Sequence, residues 1–224
     1  MEKKPIFKGS VVVLMWRVSI FIAAGIFILL FLYVYSIDGI VDLFMISKVV
    51  AGTAALMIGI SFALSGFTYY FDFLDTKIGY RKYIGLTGFW LALAYSIMLV
   101  FIDPDRYFYG FFENIGSADF ILGLSAVGIL AFMAIISNSW AMHKLGPLRW
   151  RQLLRFGYVA YALLVTRAIV TEWDLWTVWW NAPETLPPPR LTISVIAIII
   201  ILFRISMIIS KFIKQRKVQY EQKT

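Results

Sequence analysis

Apolar residues along the chain gather into six runs, at 11–35, 46–71, 82–103, 118–141, 150–173 and 190–212, separated by shorter polar or aromatic connections. A hydrocarbon core of roughly 30 Å is crossed by about 20 helical residues at 1.5 Å each, so every run is long enough to span a bilayer. The first run follows "MEKKPIFKGS", is too long for a signal peptide and has no small-residue cleavage pattern after it. It is therefore expected to be a retained span. The pattern predicts an all-α, polytopic membrane protein built as a six-helix transmembrane bundle. Residues 1–10 precede it, 11–212 form one helical domain, and 213–224 make a basic tail. No internal repeat is evident.

The connections alternate in character, and the alternation predicts orientation. Lys3, Lys4 and Lys8 precede the first run, Lys77, Arg81 and Lys82 lie between the second and third, and His143, Lys144, Arg149, Arg151 and Arg155 surround the fourth-to-fifth turn. Lys211, Lys214, Arg216, Lys217 and Lys223 follow the last run. The other connections, "SIDGIVDLF", "DPDRYFYGFFENIGSAD" and "TEWDLWTVWWNAPETLPPP", are acidic or aromatic. Basic connections stay on the cytoplasmic side, so both termini are expected there, in a plasma membrane of the bacterial inner-membrane kind. The tryptophan-rich segment is expected to close the outer end of the bundle as an interfacial belt, its prolines favouring extended backbone.

Composition agrees: 61% hydrophobic residues, 15% charged residues and a mean hydropathy of +0.80 lie far from soluble chains. The net charge of +8 is absorbed by the cytoplasmic connections and needs no nucleic acid to explain it. The lipid bilayer is the partner it implies, the tail resting on an anionic leaflet. The absence of cysteine excludes disulfides, thiolate metal sites, c-type haem attachment and cysteine nucleophiles. His143 is the only histidine, which excludes a histidine-rich metal centre and a haem held between two histidines of one chain. No carboxylate lies deep within a run, and no phosphate cradle, nucleophile elbow or HExxH pattern is present.

One residue breaks the apolar pattern with some force. Arg167 lies well inside the fifth run, and an intramembrane guanidinium either faces the bundle interior and finds a partner or snorkels to the surface.

Two stretches, "YRKYIGLTGFWLALAYSIML" and "SNSWAMHKLGPLRWRQLLRFGYVAYALL", together with the six-run, inside-to-inside layout, resemble the ferric reductase-like transmembrane domains, and among them the MsrQ/YedZ-like haem-binding membrane subunits. The resemblance covers residues 58–167, about half the chain. It implies a third helix with a histidine near the end of a "GL…LALLH"-like run, and a fifth with one in "W..LHR" and another thirteen positions later. At those positions this chain has Tyr95, Leu154 and Arg167, so the frame is present without its ligands. His143 matches none of them and is expected to be solvated. Counted at 1.5 Å per residue, Tyr95 lies roughly 20 Å along the third run and Arg167 roughly 25 Å along the fifth. The two are therefore expected in the outer half, where a phenol can receive the guanidinium, while Leu154 stays near the cytoplasmic edge.

Two functions follow as expectations. The first is a membrane subunit that has lost bis-histidine haem binding and acts structurally or by binding a membrane or periplasmic redox protein, with no cofactor. The second is an electron-transfer subunit of a membrane oxidoreductase, using haem b held unusually, with Tyr95 as tyrosinate ligand, or a flavin or quinone held by aromatic residues. A small transporter is disfavoured, since neither inverted repeats nor ionisable pathway residues are present.

Overall fold

The computed structural model describes residues 9–70, 79–183 and 186–221, and among them every regular element is a helix, with no strand. The lysines expected before residue 9, Lys77 and Lys223 lie outside the described residues. The long helices are α1 (Gly9–Asp38), α2 (Leu43–Tyr70), α3 (Tyr80–Ile102), α5 (Ala118–Ile136), α8 (Phe156–Asn181) and α9 (Pro189–Glu221). Between them lie a single π turn (Asp105–Tyr109) and the short helices α4 (Phe111–Asn114), α6 (Ser139–Leu145) and α7 (Pro147–Leu153). Five helices, α1, α2, α3, α5 and α9, are long and apolar enough to cross a membrane, and the chain is a multi-pass membrane protein. At 26 residues α8 has the length but not the apolarity, because Arg167, Glu172 and Asp174 lie within it.

Helix ends follow local chemistry more closely than the apolar runs do. The fourth run ends early, at Ile136, because Asn138 caps a new helix by accepting from the Ala141 amide at 2.8 Å. The fifth does not start at Trp150: α7 ends at Leu153 and α8 begins at Phe156. The expectation of an extended tryptophan belt needs correction. Residues 171–181 continue α8 as helix, with a kink at Glu172, whose φ of −129° and ψ of 15° leave the helical region. The run stops only at Ala182, extended at φ −141° and ψ 79°, because Pro183 disfavours the helical conformation in the residue before it. Pro189 then opens α9 at the position where its missing amide costs nothing, and α9 continues past residue 212 to Glu221.

At the centre of the bundle stands α2, packed against α1, α3, α8 and α9. More than half of its most apolar stretch is buried (56%), against 11–28% for the other four candidate spans. Glycines let its neighbours approach. Gly52, Gly59 and Gly66, seven residues apart, face Ile193, Ile200 and Phe203 of α9, where an added Cβ would meet side-chain carbons at 2.7, 2.9 and 2.6 Å. Small residues at such spacing allow close helix packing where no hydrophobic force separates protein from lipid. Ile58 and Phe62 of α2, Leu130 of α5, Ala160 and Tyr161 of α8 and Ala197 of α9 form the main buried cluster. Large apolar side chains such as Phe21, Leu29 and Ile135 point outward, as a surface facing lipid requires.

The end at which α1 begins and α9 finishes is termed proximal; the opposite, distal end gathers the α1–α2 turn, residues 103–117 and the α8–α9 connection.

Candidate functional site

The distal half holds a cavity of about 440 Å³ between α2, α3, α5, α8 and α9, lined mainly by apolar side chains. Tyr95 of α3 and Arg167 of α8 both line it, as does Tyr161, two turns before Arg167 on α8. The two residues thus reach one cavity from α3 and α8. Leu154, which follows α7 toward the proximal end, and His143, in α6, do not line the cavity.

Tyr95 is not the hydrogen-bonding partner of Arg167. The Arg167 Nε–H donates to Asp119 Oδ1 at 2.6 Å, and the other carboxylate oxygen, Oδ2, accepts from Arg106 Nη2 at 3.1 Å. One carboxylate is thus shared by two guanidiniums on different segments. The Asp119 and Arg167 side chains are largely buried, 11% and 19% exposed, whereas Arg106 is 43% exposed. Local structure prepares this arrangement. Ser117 caps α5, placing Asp119 in its first turn, where the helix dipole favours a negative charge. One turn further, Gly123 leaves room for the guanidinium, whose Cζ would lie 3.2 Å from an added Cβ. From the other side, the ring of Tyr107 in the π turn stacks on Phe120 at 5.1 Å, and Arg106 lies over that ring at 5.6 Å. Burial, then the nearby Asp119 carboxylate, pushes the Tyr107 phenol above its ordinary pKa, against the opposing pull of Arg167 and Arg106.

Two further ion pairs border the cavity. Lys48 Nζ meets Asp38 Oδ2 at 2.8 Å, and Arg190 Nη1 meets Glu172 Oε1 at 2.9 Å. Glu172 also accepts from the Trp176 indole at 3.2 Å, so the kink at this residue turns a carboxylate toward both partners. Tyr33 closes the same end by donating to the Pro187 carbonyl at 2.6 Å. Deeper in, the Tyr161 hydroxyl is packed against Gly59, and it has no hydrogen-bond partner among the described residues.

The chain is similar to MsrQ. It is 31% identical over 88 residues to the protein-methionine-sulfoxide reductase heme-binding subunit MsrQ of Brucella ovis, and equally to those of Brucella canis and Brucella suis. The match takes in 39% of this chain and spans 40% of the length of each of those curated relatives. No family model matches the chain.

The donors around the cavity do not make a bis-histidine haem site. The chain has one histidine, outside the lining, and Arg167 is committed to Asp119. Among the described residues no group of three or more His, Cys, Asp or Glu side chains is placed to hold a metal ion. Reading the apolar runs identified Arg167 and Tyr95 but passed over Asp119, Arg106, Glu172 and Arg190. Asp119 had a signal: "GSADF" places a capping serine two residues before a first-turn carboxylate at the mouth of the fourth run.

Proposed function

We propose that this chain is a membrane subunit of MsrQ-like fold in which bis-histidine haem binding has been lost, serving as a structural or partner-binding component. Tyr95, Leu154 and Arg167 occupy the positions that carry haem histidines in that family. The observation that carries the reading is the bond from Arg167 to Asp119. The side chain at a former ligand position is used to tie α8 to α5, and through Arg106 to the distal connection. Such a network rigidifies the distal surface formed by residues 103–117 and the end of α8. That surface is the one offered to a membrane or periplasmic redox protein. With the basic connections retained in the cytoplasm, all six long helices cross a bacterial inner membrane, α8 included, and the distal end faces outward.

A second reading is favoured by the cavity itself. Its volume lies within the range of small-molecule sites, and Tyr95, Tyr161 and Trp179 add aromatic surface to its lining. A flavin or quinone fits that chemistry, as does haem b in unusual ligation through Tyr95; the chain would then be an electron-transfer subunit.

An absorption spectrum of the protein purified in mild detergent separates the readings. The first expects no Soret or flavin band in proportion to protein, and no quinone in an organic extract; a stoichiometric Soret band would overturn it. Orientation is tested separately, because the chain has no native cysteine and single introduced cysteines can be labelled without background. A cysteine near Phe112 is expected to react from outside in intact cells and one after Glu221 only after permeabilisation; the reverse pattern refutes the orientation.

A further inference from the structure

All four ion pairs among the described residues lie at the distal end. The proximal end gathers arginines instead. Arg81, the second residue of α3, is held through its carbonyl by Ser61 of α2, and one turn along α2 Ser65 meets Tyr158, the third residue of α8, over whose ring Arg204 of α9 lies; these contacts gather the two arginines on one side of α2, where each feels the other's charge. Both residues are half-buried. Arg204 rests over the Tyr158 ring at 5.1 Å and donates from Nη1 to the Met207 sulfur at 3.3 Å. Tyr158 is fixed in turn by Phe62, 4.4 Å between centroids, and by the Ser65 hydroxyl at 3.2 Å. Arg81 is positioned through its backbone, its carbonyl accepting from Ser61 Oγ at 2.9 Å. Neither guanidinium has a carboxylate partner among the described residues.

Two like charges taken partly out of water repel one another and lose hydration, and a thioether and a ring face return only part of that loss. An anion between them removes both costs. A guanidinium presents paired donors that match phosphate oxygens, and basic pockets between helices near a membrane surface suit anionic headgroups. Depth agrees. Arg81 and Tyr158 lie at helix starts, and Arg204 is six residues from Ser210, where the apolar stretch of α9 ends, about 9 Å along the axis. The flanking surface is apolar and outward-facing, with Leu202, Ile205, Phe156 and Val159 all exposed. A soluble anion has no use for that surface, whereas acyl chains cover it.

We propose that Arg81, Arg204 and Tyr158 form a binding site for the phosphate group of an anionic phospholipid at the proximal face of the bundle. The site is separate from the distal cavity and does not depend on what the cavity holds.

The test is native mass spectrometry of the full chain in mild detergent, supplied with equal amounts of phosphatidylglycerol and phosphatidylethanolamine. The expected result is retention of phosphatidylglycerol over phosphatidylethanolamine by roughly tenfold. Arg81→Gln with Arg204→Gln is expected to bring that ratio close to one, and Arg81→Lys with Arg204→Lys to keep part of it. Arg204→Gln alone, at a side chain less tied to the start of a helix, is expected to reduce it several-fold and serves as the readout if the double variant does not elute as a folded species. No preference in the native chain, or a preference that these variants leave unchanged, overturns the proposal. A third arm adds inorganic phosphate without lipid. Saturable phosphate binding that the glutamine variants abolish, without any phospholipid preference, would assign the arginines to a free phosphate compound and overturn the lipid assignment.

Discussion

Replacing Asp119 by asparagine keeps the shape of the side chain and removes the charge that two guanidiniums share. The consequence differs for the two partners. Arg106 is 43% exposed, and pairs of that kind contribute about 0–1 kcal/mol because water recovers most of the interaction. Arg167 is 19% exposed and lies against Gly123 and the cavity wall, so it keeps its charge in a poorly solvated place with one neutral acceptor left. Removing one partner of a fully buried pair costs 3–5 kcal/mol, and polar contacts between membrane helices are weaker because the unfolded state in the membrane also finds partners, so we expect a loss of roughly 2–3 kcal/mol. Arg167→Leu should cost less, since the carboxylate keeps Arg106 and sits at a helix start. The pair Asp119→Leu with Arg167→Leu should recover much of the loss, as apolar side chains replace a desolvated ion pair. Reversible unfolding in mixed micelles, read as a double-mutant cycle, is expected to give a coupling energy of about 1.5 kcal/mol or more. Tyr95→Phe, which touches neither hydrogen bond of the carboxylate, should change stability by less than about 0.5 kcal/mol. A coupling between Asp119 and Arg167 indistinguishable from zero, or a Tyr95→Phe loss as large as that of Asp119→Asn, would refute the account of how this arginine is held.

Two further substitutions probe the same packing. Gly123→Ala puts a methyl group 3.2 Å from the guanidinium carbon of Arg167 and should cost about 1 kcal/mol, a cost expected to vanish in the Arg167→Leu background. Gly128→Ala on the same helix meets nothing within 4 Å and should stabilise by about 0.5–1 kcal/mol; equal effects at the two glycines in thermal unfolding would contradict the contact. Tyr161→Phe removes a buried hydroxyl that has no partner among the described residues and is expected to be neutral or to stabilise by up to about 1 kcal/mol. A loss above 1 kcal/mol would show that the hydroxyl is bonded after all.

Much of the architecture was written in the apolar runs, because the demand that a bilayer imposes is local: about 20 apolar residues with every backbone group bonded within its own helix. Five of the six runs correspond to helices with that composition, and the fifth run, 150–173, falls largely in α8, which Arg167, Glu172 and Asp174 make too polar to match it. Single capping and breaking residues explain most differences in the ends: Asn138 ends α5 early, and Pro183 rather than the tryptophans ends α8. The absence of cysteine and the lone His143 limited cofactor chemistry by counting alone. Arg167 could be recognised as a charge inside an apolar run, although its burial stayed open against snorkelling, and Tyr95 was singled out by its place in the third run. The partner could not be found that way. Asp119 lies 48 positions before Arg167, at the edge of a run and within an acidic connection, where a solvated carboxylate is the ordinary expectation. What brings them together is the packing of α5 on α8, the rotation of α5 set by its cap at Ser117, and a glycine one turn beyond Asp119 that admits the guanidinium. Depth is a one-dimensional quantity, readable from a single helix; which faces meet depends on the rotation of two helices about their axes, and only tertiary packing decides it.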